Sequence, residues 1–182
     1  MNYLKIDKAS ISDGPGVRVV LWVSGCSIHC KGCQNPESWC FNAGKIFDKT
    51  AKQELFDALS KPYIQGITFS GGHPLEEQNR SEVLNLIQDI KSAFPDKDIW
   101  LYTGYTFKDI CDIFCNERWY SLFDPSFKCS NWEKLEYVDI LVDGPYIEEQ
   151  RDITLKFRGS KNQRLIDVKE TLKQGSIITI QN

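Results

Sequence analysis

Three cysteines carry the sharpest chemical signal in this sequence. Cys26, Cys30 and Cys33 follow the spacing C-x3-C-x2-C and fall within eight residues. Three thiolates on one short loop can converge on one metal centre. A four-iron cluster usually takes four cysteine ligands, so three leave one iron open, and an open position permits chemistry at a metal. Zinc is the alternative. It wants a fourth ligand, for which Cys40, His29 and Cys129 are the candidates, and a closed tetrahedron. A third reading is plain clustering of buried thiols.

Two further motifs follow segments that read as strands. Ser70-Gly71-Gly72-His73-Pro74-Leu75 holds two glycines that let a backbone approach a ligand closely. A simple turn is the competing meaning. His73 is one of only two histidines, either a solvated loop residue or a hydrogen-bonding group aimed at a ligand. Asp143-Gly144-Pro145 and Ser12-Asp13-Gly14-Pro15-Gly16 are turn signals, with Asp143 a candidate ligand holder at a strand's carboxyl end. Cys111 and Cys115 lie four apart, one above the other if a helix runs that far. With Cys129 they form either a second site or a set of buried structural thiols.

The elements that must position these residues alternate. Val17 to Ser24 is nearly all apolar, as in a strand buried on both faces of a parallel sheet. The cysteine-rich loop runs from Gly25 to Phe41. A helix is expected over Thr50 to Ser60, capped by Thr50 with Gln53, with Ala51, Leu55 and Leu59 on one face and Pro62 ending it. Gly66 to Ser70 reads as a strand and Asn79 to Phe94 as a helix with Val83, Ile87, Ile90 and Phe94 on one stripe. Asp98 to Thr103 is a strand, Thr106 to Phe114 a helix, and Tyr137 to Val142 a strand. Arg164 to Val168 and Ser176 to Ile180 are weaker strand candidates. Cys115 to Glu136 is rich in aromatics without a clear period, and more readily core or interface than a stacking platform.

Strand–helix alternation means α/β with a mostly parallel sheet. A complete eightfold barrel needs about 250 residues, and this chain has 182. At about 150 residues per domain it is one domain, built as a partial, open barrel or a short doubly wound sheet. In either, ligands belong at the carboxyl ends of the strands. Lys plus Arg number 22 and Asp plus Glu 25, a net charge of −3. That lack of basic excess argues against a nucleic-acid partner. The longest apolar run, Val19 to Val23, is far short of a membrane span, and the start lacks a signal-peptide stretch. The expectation is a cytoplasmic protein. In a reducing compartment, clustered cysteines mean metal or catalysis more often than disulfides, and seven, an odd number, cannot all pair.

Cys26-x3-Cys30-x2-Cys33 followed by Gly71-Gly72 resembles the radical S-adenosylmethionine superfamily. Asp13-Gly14-Pro15-Gly16-Val17-Arg18 and the short length resemble those members that activate glycyl-radical proteins. Gly25-Cys26, Cys33 to Trp39, Val142 to Pro145, and Lys156-Phe157-Arg158-Gly159-Ser160 with Asn162-Gln163-Arg164 are similar to the family that activates the anaerobic ribonucleoside-triphosphate reductase. The likeness spans about 6–110 and 138–168.

The resemblance implies one radical-SAM domain over 1–182, an open (β/α) barrel with an aromatic and cysteine-containing insertion at about 111–136. It implies that Cys26, Cys30 and Cys33 hold three irons of a [4Fe–4S] cluster and that the fourth iron binds S-adenosylmethionine. Gly71, Gly72 and His73 would meet its methionine end, with Gly32 and Gln34 near the adenine. Reductive cleavage would yield a 5′-deoxyadenosyl radical that takes hydrogen from a glycine of the reductase. The implied partners are that reductase and a low-potential electron donor such as flavodoxin, with no nucleic acid and no membrane. A small-molecule substrate for the same chemistry, or a non-enzymatic zinc-stabilised binding protein, are the alternatives. The superfamily's usual acidic residue after Gly-Gly is His73 here. A neutral imidazole accepts one hydrogen bond and a protonated one none, so Glu76 and Glu77 are candidates to substitute. The Cys115 to Glu136 segment is a candidate docking surface.

Overall fold

The computed structural model describes residues 1–115 and 130–180. Seven strands form one sheet. They are β1 (Asn2–Ser10), β2 (Arg18–Val23), β3 (Lys45–Ile46), β4 (Gly66–Gly71), β5 (Asp98–Tyr102), β6 (Ile140–Asp143) and β7 (Arg164–Asp167). Their order is β3-β1-β2-β4-β5-β6-β7. The middle four, β2, β4, β5 and β6, run parallel, while β1 joins β2, β3 joins β1 and β7 joins β6 antiparallel. The sheet is not closed. The helices are α1 (Lys49–Leu59), α2 (Glu77–Ala93), α3 (Phe107–Cys115), α4 (Ser130–Leu135) and α5 (Val168–Gln174). Among the described residues, no helix is long and apolar enough to cross a membrane.

Side chains alternate across a strand, and here the two faces have different tasks. Leu21, Phe69, Leu101 and Leu141 pack in one buried cluster with Leu55 of α1, Ile87 of α2 and Ile110 of α3. The opposite face carries a smaller cluster of Trp100, Ile140, Val142 and Leu165, with Tyr102 and Phe157 packed against it. That second face is covered by chain rather than by helices. The segment after β6 brings Phe157 onto Trp100, ring centroids 5.4 Å apart.

Arg18 sits on this second face and is fully buried. Its Nε donates to Thr68 Oγ1 at 2.9 Å, and its Nη2 donates to Ile67 O at 2.9 Å and to Asp98. Nη1 reaches Pro15 O at 3.2 Å. The guanidinium thus ties the turn before β2 to β4 and β5, and Thr68 Oγ1 donates back to Asp13 O at 2.8 Å. The Ser12–Gly16 turn is held by this buried charge, a function no turn propensity indicates.

Several expected boundaries move for identifiable reasons. The cap of α1 is Asp48, whose carboxylate accepts the Ala51 N–H at 2.9 Å, not Thr50. An aspartate two residues earlier completes the first turn, so the helix starts and ends one residue sooner than expected. Helix α2 starts at Glu77 rather than Asn79 and ends at Ala93. β1 has no counterpart among the sequence expectations, because its burial follows no strand period: only Tyr3 and Ser10, seven residues apart, are buried. Arg164 to Val168 divides into β7 and the start of α5, with Asp167 accepting Glu170 N–H at 2.9 Å. Ser176 to Ile180 contributes only an isolated bridge, Ile166 to Thr179.

Removing the Arg18 guanidinium should leave Thr68 and Asp98 without their partner in the sheet interior. Loss of one member of a buried pair typically costs about 3–5 kcal/mol, and Asp98 keeps partial solvent contact. Arg18→Ala is therefore expected to lower stability by about 3 kcal/mol in urea titrations. A change under about 1 kcal/mol would refute the anchoring role.

Candidate functional site

The carboxyl ends of the parallel strands surround one cavity of about 580 Å³. β2 ends in Ser24 and the cysteine loop. β4 ends in Gly71 and Gly72, β5 in Thr103, and β6 in Gly144. Two main-chain bonds join the ends of β2 and β4, and two more fold the cysteine loop back on its own start. Gly72 N donates to Val23 O at 2.8 Å and His73 N to Gly25 O at 2.8 Å. Gly25 N donates to Ser38 O at 2.7 Å and Cys26 N to Trp39 O at 3.1 Å. A Cβ at Gly72 would stand 2.6 Å from Gly25 O and 2.9 Å from Ser38 O, so only glycine admits this approach. Gly71 has φ +103°, a conformation that side chains resist.

Side chains reinforce the lock. Asn79 of α2 is buried and donates to Ser24 O at 2.8 Å and His73 O at 3.1 Å. Glu76 accepts both the backbone N–H of Ser27 at 2.9 Å and its hydroxyl at 2.7 Å. Burial opposes the Glu76 charge, yet the bonds from Ser27 and the neighbouring His73 outweigh it, and its pKa falls below the usual value. A carboxylate therefore grips the residue next to Cys26.

Cys26, Cys30 and Cys33 all line the cavity, with Gln34, Gly71, Gly72 and His73. Cys26 is buried, and Cys30 and Cys33 are half-buried. Burial pushes the Cys26 thiol up, against hydrogen bonds from the Ile28 and His29 backbone. It pushes Cys30 up likewise, against a backbone bond from Tyr146. Thiolates in such a place need positive charge beside them, which iron supplies. Gly32 does not line the cavity. It packs against Tyr146 and the Glu148 carboxylate, where a side chain would collide.

Among the described residues a closed zinc site finds no support. Cys40 is exposed, and His29 stacks on Trp39 with ring centroids 4.6 Å apart. Among the described residues, no three His, Cys, Asp or Glu side chains group around one ion position. Three thiols on one cavity wall, with no fourth described ligand beside them, suit a cluster with one open iron better than a closed single-ion site. Cys111, a residue of α3, is buried, its thiol donating to Phe107 O one turn earlier at 3.0 Å. Cys129, and the aromatics from Trp119 to Phe127 of the docking expectation, lie outside the described residues.

His73 is buried. Its Nε2 lies 2.8 Å from Thr103 Oγ1, its ring meets Tyr105 edge-on at 4.3 Å, and its Nδ1 is 3.6 Å from Glu76 Oε2. Burial depresses its pKa to about 4, Glu76 opposing only in part. The imidazole is neutral at neutral pH. The Glu76 charge favours the proton on Nδ1, which leaves Nε2 to accept from Thr103. Glu76 does not line the cavity, and Glu77 is exposed at the start of α2. Neither puts a carboxylate where the sequence expectation placed one.

Asp143 is also spent on structure. Fully buried, it accepts from Phe107 N at 2.9 Å, so it caps α3, and it pairs with both Arg164 Nε and Nη2. Sequence reasoning missed Trp22, Tyr102 and Arg158 as wall residues. Trp22 and Tyr102 end strands on the face away from the helices, a parity that becomes legible only once the helix-facing residues are known.

Residues 12–166 match the family described as "4Fe-4S single cluster domain". The anaerobic ribonucleoside-triphosphate reductase-activating protein of Enterobacteria phage T4 is 43% identical over 165 residues, covering 91% of this chain and 93% of the relative. The proteins of the same name from Haemophilus influenzae (39%) and Escherichia coli K12 (34%) each cover 90% of this chain and 96% of their own length.

The buried imidazole makes stability depend on pH. The folded chain holds His73 neutral down to about pH 4, whereas the unfolded chain protonates it near the ordinary value of 6.5. Its contribution is complete above pH 6.5 and is lost as pH falls toward 4. Each pH unit between those two values removes roughly 1.4 kcal/mol, or ~3 kcal/mol in all. Glu76, also depressed, adds a loss in the same direction at lower pH. His73→Gln should flatten the fall in urea midpoint between about pH 6.5 and 4.5. An undiminished slope in the variant would place the titration elsewhere.

Proposed function

The chain belongs to the family of anaerobic ribonucleoside-triphosphate reductase-activating proteins and carries that family's 4Fe-4S domain; from that premise we propose that Cys26, Cys30 and Cys33 are the three ligands of its cluster. The observation that carries this reading is their common exposure to one cavity, beside Gly71, Gly72 and His73 at the carboxyl ends of parallel strands. Its target is the anaerobic reductase, and its activity is the oxidoreductase-type activation of a glycyl-radical enzyme. When bound, the cluster supplies an electron to S-adenosylmethionine, whose cleavage provides a radical strong enough to take hydrogen from a glycine of the reductase.

The chain's own residues bind, orient and exclude water. Ser27, gripped by Glu76, sets the start of the cysteine loop, and the Gly25 and Cys26 amides are tied to Ser38 and Trp39. Gly71 and Gly72 bring bare backbone to the methionine end of S-adenosylmethionine. His73 presents a neutral ring where the superfamily usually has a carboxylate, so the amino group of that ligand meets no formal charge at this position. Gln34, on the cavity wall, would meet the adenine side of S-adenosylmethionine, while Gly32 lets the loop pack closely on Glu148. The open sheet is read as a partial radical-SAM barrel forming a single domain, open enough for a protein substrate. A low-potential donor such as flavodoxin supplies the electron.

Anaerobically purified protein should be brown and hold about four irons per chain. Cys26→Ala, Cys30→Ala and Cys33→Ala should each lose the iron and the visible absorption, while Cys40→Ala retains both. Mixed with reductant, S-adenosylmethionine and the reductase, the wild type should produce a glycyl radical signal in electron paramagnetic resonance. A colourless protein that binds zinc would defeat the reading.

A further inference from the structure

Glu76 is a buried carboxylate with no cation to match it. Among the described residues its one ion-pair contact is His73 Nδ1 at 3.6 Å, and that imidazole is neutral. Arg80, one helical turn on, points elsewhere. Its Nε donates to Leu75 O at 3.3 Å, and its guanidinium lies over the Phe114 ring, 5.2 Å from the centroid. Dipoles hold the charge instead. Glu76 Oε2 accepts from both Ser27 N and Ser27 Oγ, and the residue stands at the N-terminus of α2, whose free amides favour a negative group. Such donors steady a charge without cancelling it.

The grip on Ser27 does not require that charge. A glutamine carbonyl oxygen would accept the same N–H and O–H and fix the loop as well. Burying a carboxylate without a cationic partner is unfavourable, so a purely mechanical role leaves the charge unexplained. Its field reaches the cysteine loop. Burial pushes the Cys26 thiol up most, and Cys30 and then Glu76 add to the push, against backbone bonds from Ile28 and His29. The Tyr105 hydroxyl is raised likewise, by burial and then by Glu76. A field that opposes loss of a proton from sulfur opposes any gain of negative charge there.

We propose that the buried Glu76 carboxylate, held against Ser27 beside Cys26, keeps the reduction potential of the cluster low. This rests on the assignment of Cys26, Cys30 and Cys33 as cluster ligands made above. Cleaving a sulfonium takes a strongly reducing electron. Net charge, hydrogen bonds to sulfur and solvent exposure set the potential of an iron–sulfur centre. A fixed negative charge next to a ligand disfavours the extra electron of the reduced state, so that electron is given up more readily. Glu76 does not line the cavity and touches no reacting atom, so it is not a catalytic residue. It needs no such contact, because a Coulomb interaction carries across Ser27 where burial keeps water from screening it.

The test follows the reduced cluster by electron paramagnetic resonance as the potential is lowered, on anaerobically purified, iron-loaded protein. At any fixed potential Glu76→Gln should raise the ratio of reduced to oxidised cluster about tenfold over wild type, a shift of about 59 mV for one electron. Ser27→Ala weakens the same contact but keeps the charge, and its ratio should stay within about twofold of wild type. An unchanged ratio in Glu76→Gln overturns the proposal. So does an equal shift in Ser27→Ala, which would give the effect to loop geometry rather than to charge. If Glu76→Gln holds no iron, Glu76→Asp and Glu76→Asn repeat the comparison at a shorter length. The ratio in Glu76→Asn should then exceed that in Glu76→Asp about tenfold, and equal ratios overturn the proposal. A wild-type protein without iron overturns the cluster assignment itself, and this inference with it.

Discussion

The contact between the end of β2 and the end of β4 is the constraint on which the site depends. Two amides, Gly72 N and His73 N, bond to Val23 O and Gly25 O across it. The approach is so close that a single methyl group at residue 72 would strike the Gly25 carbonyl. This backbone closure puts the cysteine loop and the Gly-Gly turn on the same cavity, although 38 positions separate Cys33 from Gly71. The Asn79 amide and the Glu76 carboxylate, both from the start of α2, then hold the two strand ends against that helix. The glycines thus serve the fold first, and their value to a ligand follows from the same bareness.

The sheet divides its two faces between stability and function. Helices cover one face with aliphatic residues. The other is covered by irregular chain, and it is there that the buried polar groups gather. Arg18 joins three separate segments, and Asp143 joins the start of α3 to β7. A polar interior of this sort is stable only when satisfied throughout. The unsatisfied exceptions fall largely on the cavity wall, at Trp22, Trp39, His73 and Arg158.

The parallel strands and the three longer helices are legible in the sequence because their apolar periods are strong and their ends carry proline or glycine. Val17 to Ser24 contains β2 and Gly66 to Ser70 falls within β4. The outer strand β1 is not legible, since its mixture of lysine, aspartate and apolar residues suits an edge-side position that local sequence does not define. Thr50 resembles a cap because its spacing to Gln53 fits a capping box, whereas the chain enters the helix at Asp48. Asp143 ends a strand as expected, but its partners, Arg164 and the Phe107 amide, lie 21 and 36 residues away.

By itself the sequence determined the chemistry. Thiols at 26, 30 and 33 can meet one multi-metal centre whatever surrounds them, because the loop joining them is too short to separate them widely. It also determined the α/β class, since hydrophobic period is a local property. Only the tertiary structure decided which other residues share that centre's cavity. Strand parity sends Trp22 and Tyr102 to one face and their neighbours to the other, and chain crossing brings Arg158 from 125 positions beyond Cys33. Charge followed the same rule. His73 is neutral and Glu76 ionised because of how deeply each is buried and what bonds it, and neither burial nor bonding across the fold is written in residue type.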